Sequence, residues 1–405
     1  MAGIGPPESA RVSVETAVAG GMFDFGARPI GSEENRRAAR FVRAEAERMG
    51  YRVRSLPFRC PYWEPGPSWA GRGGAKIDVF AGPYSPGFDA AREVVAATTP
   101  EELAAADGDG KILFLHGEIA KEPLAPRDFP FYFPDGHKAI YETLDGKKPA
   151  AIVAATGQHP ACGLNPFPLF EDENFRIPTA YVGAAGSAAL LAARGPMRLR
   201  IESKTSVRPG EQLVAEKKAA GESPGKIVVC AHMDTAYGTP GALDNAAGVA
   251  VLLGAMERLK NCAGPYDLEF VPFNGEDSGA VKGHLAYLEQ YGGEFGRIRL
   301  AVNVDAAGSK GSTTHVSAYN LDEARQGWLD AEIAKHAGIS RGPEWVEGDH
   351  SVFAFQGVPC LAVTSSDLRE GVMKISHTPQ DVREGVDPDL LDEAGSFIAG
   401  LVRGF

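Results

Sequence analysis

Five stretches of this 405-residue chain place imidazole or carboxylate groups where strand-like runs or turns end. His232-Met233-Asp234 follows the apolar run KIVVCA, and Asp244-Asn245 follows the turn GTPGAL and opens a Gly/Ala-rich helical stretch. Glu276-Asp277 follows LEFVPFNG, Asp305 follows IRLAVNV, and His377 lies in SHTPQD ahead of the final helical stretch. Two imidazoles and three carboxylates (His232, His377, Asp244, Asp277, Asp305) suit a hard-to-borderline divalent cation, with zinc first among the candidates. One carboxylate can bridge two such metals about 3.5–4 Å apart and leave a water shared between them. That water is polarised toward hydroxide near neutral pH and still needs a base. Glu276, beside a ligand candidate and not itself a ligand, suits the role. Asp234, two residues beyond His232, is placed to accept that ring's other N–H and fix its tautomer.

Such groups converge only if a scaffold aims them at one place. Apolar runs at 226–231, 268–273, 298–304 and 358–364 alternate with helical patterns at 245–260, 282–291, 322–336 and 388–403. Continuous apolar strands between helices predict an α/β fold with a mixed, mainly parallel sheet flanked by helices. Ligands of open α/β sheets bind at the carboxyl ends of the strands, where these motifs fall. Earlier in the chain, Ser32 caps a predicted helix that Gly50 stops, and 51–58 reads as a strand. Residues 60–74, rich in Pro, Gly and Trp, read as a boundary. Short strands follow at 111–115, 150–154, 177–182 and 197–201, with an irregular ordered loop at 122–135. The expected organisation is a discontinuous catalytic unit, 1–69 and 201–405, with a β-rich unit inserted over 70–200.

Composition narrows the partners. Lys plus Arg is 41 and Asp plus Glu is 53, a net charge of −12. Nucleic acid and anionic membranes are bound by clustered basic residues, so neither is expected. No run reaches the ~18 apolar residues of a membrane helix. Residues 1–14 show no basic segment followed by an apolar one, so a cytoplasmic protein is expected. The five cysteines (60, 162, 230, 262 and 360) are dispersed and form no C-x-x-C, which predicts neither a disulfide framework nor a zinc ribbon. Cys230 and Cys360 read as buried small hydrophobes.

Taken together, AHMD, GALDNAAG, GEDSGAVKG, NVDAAG and SHTPQD resemble the two-zinc exopeptidases of metallopeptidase family 28. ARPIGSEENRRAARFVRAEAERMGYRV is similar to that family's opening helix, and GDHSVFAFQGVPCLAV to its D-H-x-x-F segment. The resemblance covers about 25–58 and 205–405. It implies a zinc-exopeptidase fold of the phosphorylase/hydrolase-like kind. It also implies two Zn2+ per chain: one held by His232, Asp244 and Asp305, the other by Asp244, Asp277 and His377. Asp244 would be the bridge and Glu276 the general base, with Asp277 standing where many relatives have Glu. A cis peptide between Asp244 and Asn245 is implied as well. Over 70–200, GKILFLHG, PAAIVAATG and RIPTAYVGAAG resemble a protease-associated domain carried as a lid.

The function so implied is a zinc-dependent exopeptidase acting on peptides, most simply an aminopeptidase. A carboxypeptidase or dipeptidase is the alternative, and it needs a cation such as Arg127 or Arg176 to receive the free carboxylate. A glutaminyl cyclase would need only one metal, and a non-catalytic receptor would need none. Elsewhere the plainer readings stand. Asp381 reads as a cap, and the acidic run Glu171-Asp172-Glu173 as a solvated loop. His116, His137, His159, His284, His315 and His336 read as structural. His350 either lines the rim of the site or orients a loop with Asp349.

Overall fold

Helix α1 (Glu33–Arg48) begins because the Ser32 hydroxyl accepts the Asn35 amide at 3.0 Å, and Glu33 and Glu34 favour the positive end of the helix dipole. Its Ala38, Ala39, Val42 and Ala46 face the core. The computed structural model describes residues 21–127, 133–155, 168–192, 194–279 and 281–405. Residues 1–14, His159 and Cys162, read above, lie outside the described residues.

Two compact units emerge. One runs up to Cys60 and resumes over Pro209–Phe405; the other is Pro61–Arg208. The first contains an eight-stranded sheet. In chain order its strands are β1 (Arg52–Pro65), β2 (Ser203–Lys217), β3 (Lys226–His232), β4 (Asp267–Phe273), β5 (Ile298–Val304), β6 (Thr314–Tyr319), β7 (Ile339–Arg341) and β8 (Cys360–Ser365). Their order across the sheet is β1-β2-β4-β3-β5-β8-β6-β7. The centre, β4-β3-β5-β8, is parallel, while β2 pairs with β4 and β6 with β8 antiparallel. The sheet is therefore mixed and mainly parallel at its core. Every residue of β3, β4 and β8 is buried, as the continuous apolar runs require.

From β3 the chain crosses to β4 on one side, and from β4 it returns to β5 on the other. That reversal makes a switch point at the carboxyl ends of β3 and β5, where the sheet leaves a crevice. Helix α2 (Ala247–Leu259), buried along its whole length, covers the sheet behind it. Its entry is tight. A Cβ on Gly248 would stand 2.6 Å from the Val304 carbonyl oxygen and 2.2 Å from Asn245 Oδ1, so only glycine lets α2 start against the end of β5. Helices α3 (Lys282–Tyr291), α4 (Glu323–Ile333), α5 (Ser351–Ala354) and α6 (Pro388–Gly404) complete the unit. Asp387 caps α6 by accepting the Asp389 amide at 3.0 Å.

The second unit has its own eight-stranded sheet, with parallel pairing through Val94–Ala97, Ile112–Leu115, Ala151–Ala155 and Thr179–Val182. Helices Pro100–Ala105, Asp135–Lys147 and Ala184–Ala192 accompany it. Residues 60–74 are largely strand, with Arg52–Pro65 running into them and Ser68–Arg72 paired on both sides, and the two units divide at Cys60 and Pro61. Proline and tryptophan are accommodated there in extended backbone. The acidic run is not fully solvated either. Asp172 is buried, and its carboxylate accepts the amides of Arg127 and Asn174.

The amino end of β3 is anchored by charge. Lys226, 2% exposed, donates to Glu269 Oε1 at 2.7 Å, with Glu294 Oε2 at 3.3 Å. Tyr287 donates to the other oxygen of Glu269 at 3.0 Å. Lys226→Ala leaves Glu269 buried without its cation, and urea unfolding is expected to show a loss of roughly 3–5 kcal/mol. A loss below about 1 kcal/mol would mean the pair carries no such weight.

Candidate metal centre

Each candidate ligand leaves the sheet edge by a different route. His232 is the last residue of β3. Asp305 follows β5, its amide donating to the Val363 carbonyl at 3.0 Å. Asp277 lies in a short turn, Glu276–Ser278, bracketed by Gly275 at φ 109° and Gly279 at φ 62°. Asp244 sits at a break before α2, and the Asp244–Asn245 peptide is cis. His377 holds φ 60°, the left-handed region where a non-glycine residue is uncommon and functional sites concentrate.

The structure brings all five together. His232 Nε2 lies 3.1 Å from Asp244 Oδ1 and 3.4 Å from Asp305 Oδ1. His377 Nε2 lies 2.8 Å from Asp277 Oδ1 and 3.5 Å from Asp244 Oδ2. Asp244 thus turns one oxygen to each imidazole, and each imidazole has a further carboxylate of its own. Potential ligand atoms of His232, Asp244 and Asp277 all fall within 4.8 Å of one another. Both ring nitrogens of the buried His232 lack a hydrogen-bond partner among the described residues. An orphaned buried imidazole among carboxylates is what a metal ligand looks like without its metal, and the donor set fits zinc.

The surroundings fix these groups through main-chain amides. Asp277 Oδ2 accepts the Ala236 amide at 3.0 Å. Asp381 accepts the amides of Leu243 and Asp244 at 2.7 and 3.0 Å, so it caps the stretch carrying the shared carboxylate and not α6. Asp234 Oδ1 stands 4.0 Å from His232 Nδ1, beyond hydrogen-bond reach, and instead accepts the amides of Gly275 and Glu276 at 2.7 and 3.2 Å. It therefore holds the Glu276 turn directly.

Electrostatics follow from crowding. Burial, with Asp277, Asp349 and Asp305 nearby, holds half-buried Glu276 well above the ordinary carboxylic range, against the pull of His232. Burial likewise raises Asp305 and Asp234 to about 6. His232 resists the pull of burial because Asp305, Glu276 and Asp244 favour its charged form, so its pKa lies well above the usual value. Asp244 is raised by burial but more strongly lowered by His232 and His377, to about 2.

Other histidines do structural work. His350 Nε2 meets the Trp345 carbonyl at 2.9 Å, with its ring between Tyr319 and Trp345, so it orients that loop. Asp349 pairs with His284, which stacks on Phe273. Sequence reasoning missed that pair, and it missed Arg28. Arg28 is fully buried, and its guanidinium donates to the carbonyls of Met233, Pro240 and Gly241 at 2.7, 2.8 and 2.8 Å. The only sequence signal was its place just ahead of the α1 cap.

Sheet and cluster define an α/β domain with a candidate metal centre at the switch point of its sheet. Residues 213–402 match the model of peptidase family M28, and the chain carries a domain of that family. Aminopeptidase YwaD of Bacillus subtilis (strain 168) is 25% identical over 214 residues, 50% of this chain and 46% of that protein. The matched stretch thus spans about half the length of this curated relative. The aminopeptidase from Aneurinibacillus sp. strain AM-1 superposes with a TM-score of 0.73 at 20% identity, covering 98% of this chain and 92% of that one. BSAP, a zinc aminopeptidase from Bacillus subtilis, gives 0.73 at 18% identity, covering 97% and 93%. These structures share the fold. No helix among the described residues is long and apolar enough to cross a membrane.

The raised carboxyls give a signed pH dependence. A carboxyl whose folded pKa lies above its unfolded value of about 4 favours folding while protonated, and that contribution is lost as pH rises from about 4 through 6. His232 runs the same way at higher pH, and Asp244 opposes only below about 4. A bound cation would take the place of those protons. The rise in thermal midpoint on adding zinc to the metal-stripped chain is therefore expected to grow between pH 5 and pH 7. A rise independent of pH would contradict this. Asp234→Ala frees the Gly275 and Glu276 amides and is expected to lower activity about 10- to 100-fold, read as kcat at saturating substrate.

Proposed function

We propose that this chain is a zinc-dependent aminopeptidase with two metals per chain, removing N-terminal residues from peptides. The observation that carries the reading is Asp244, whose two oxygens face His232 and His377 separately. A carboxylate aimed in this way serves two cations better than one. Asp305 completes one set of ligands with His232, and Asp277 the other with His377. Zinc, when bound, supplies Lewis acidity that polarises a peptide carbonyl and makes water more acidic.

The chain's own residues do the rest. Glu276 takes the proton of the attacking water as its oxygen bonds to the peptide carbonyl carbon. It then returns that proton to the leaving amine as the C–N bond breaks. An elevated pKa suits this double role, because the group must both accept and give at working pH. Asp234 keeps Glu276 in reach by binding its amide.

Removal from the amino end is supported by the kind of protein this chain resembles, since the relative and the structural neighbours named above are aminopeptidases. It is supported too by Arg127, one of two cations considered for receiving a free carboxylate. Its guanidinium is engaged by both oxygens of Asp145 at 2.9 and 3.0 Å and lies over Tyr141 and Phe175.

Glu276→Gln is expected to cut turnover by at least about 10²-fold with zinc content unchanged. A peptide library digested by the wild-type chain and read by mass spectrometry should show shortening from the free amino end, and N-acetylated peptides left intact. Near-normal turnover in the variant, or trimming from the carboxyl end, overturns the assignment.

A further inference from the structure

Arg28 is a buried cation that forms no ion pair among the described residues. Its side chain donates only to main-chain carbonyls: Met233, Pro240 and Gly241, plus Gly26 at 3.1 Å. A buried charge is costly unless something offsets it. Burial draws this guanidinium down to about 10, while the fields of Asp234, Asp381, Asp277 and Asp244 pull the other way. Its charge is therefore matched to the acidic cluster as a whole, and its hydrogen bonds to one loop.

That loop, 233–241, joins His232 to the stretch leading into Asp244. Met233 is the residue after the first ligand, and Pro240 and Gly241 lie just ahead of the second, so one planar fork ties both ends of the loop. The Arg28 amide also donates to Thr235 Oγ1 at 2.9 Å. Gly241 closes the loop at φ 62°, where a Cβ would stand 2.2 Å from Thr235 Cγ2. The same segment reaches the catalytic turn. Asn35 donates to the Arg28 carbonyl at 3.3 Å and to Asn274 Oδ1 at 2.8 Å, two residues before Glu276.

We propose that Arg28 is a positioning residue for the metal centre, stapling the 233–241 loop so that His232 and Asp244 stand ready before any cation arrives. The proposal rests on the metal reading given above. Without the staple, crowded carboxylates would push the loop open and binding would bear the cost of ordering it. Lysine cannot replace arginine here, because a single ammonium lacks the fork that reaches three separated carbonyls.

The test uses the full chain, stripped of metal and reloaded with zinc ion. Arg28→Lys is expected to stay folded, to bind zinc about 10- to 100-fold more weakly in competition with a chelator, and to lose kcat with little change in KM. A folded Arg28→Lys chain with wild-type zinc affinity overturns the proposal. If that variant does not fold, hydrogen exchange on the metal-stripped wild type decides. The amides of Ala236, Ala242 and Leu243, which donate to Asp277 and Asp381, are expected to stay protected without metal. Rapid exchange there means the metal orders the loop and overturns the proposal. A wild-type chain that takes up no zinc defeats the metal reading instead, and the exchange result still judges Arg28.

Discussion

Carboxylates crowded into a buried space repel one another, and this domain is arranged around that repulsion. Asp234, Asp277, Asp305 and Asp349 are buried, and Asp244 and Glu276 lie among them. Inside a protein such charges interact more strongly than in water, and leaving them unpaired is expensive. The cluster persists because three kinds of partner meet it. Imidazoles stand between carboxylates, main-chain amides point at them, and the guanidinium of Arg28 sits behind the loop that joins two of them.

The parallel sheet makes this economical. Strands β3 and β5 end side by side at the switch point, so their pairing alone brings His232 and Asp305 together. The loops after β4 and β8 then need only turn inward. They do so through strained or glycine-assisted backbone, at Gly275, Gly279 and His377. A metal binding here would inherit a site already held by hydrogen bonds from 233–244, 274–277 and 381. Preorganisation of that kind lowers the cost of binding.

Much of this was legible in the residues. The four central strands were readable because near-complete burial demands largely apolar runs, and His232 and Asp305 were readable because they end such runs. The Ser32 cap was likewise a local signal. What escaped depends on distance in the chain. Thr314–Tyr319 alternates weakly and becomes a strand by pairing with β8. Residues 60–74 read as a boundary by composition, which gives no sign that their backbone also forms strands. Asp234 sits two residues from His232, which suggests a direct contact, but the amides of a turn forty residues later claim its oxygen. Arg28 is the extreme case, since three of the four partners of its guanidinium are carbonyls some 205 to 213 residues away and carbonyls carry no sequence signature.

The central claim is that Asp244 divides its two oxygens between two cations. Diffraction from crystals of the zinc-loaded chain, collected just above the zinc absorption edge, tests it most directly. Two anomalous peaks about 3.5–4 Å apart, one beside Oδ1 with His232 and Asp305 and one beside Oδ2 with His377 and Asp277, are predicted. A single peak held by both oxygens of Asp244 would contradict the account.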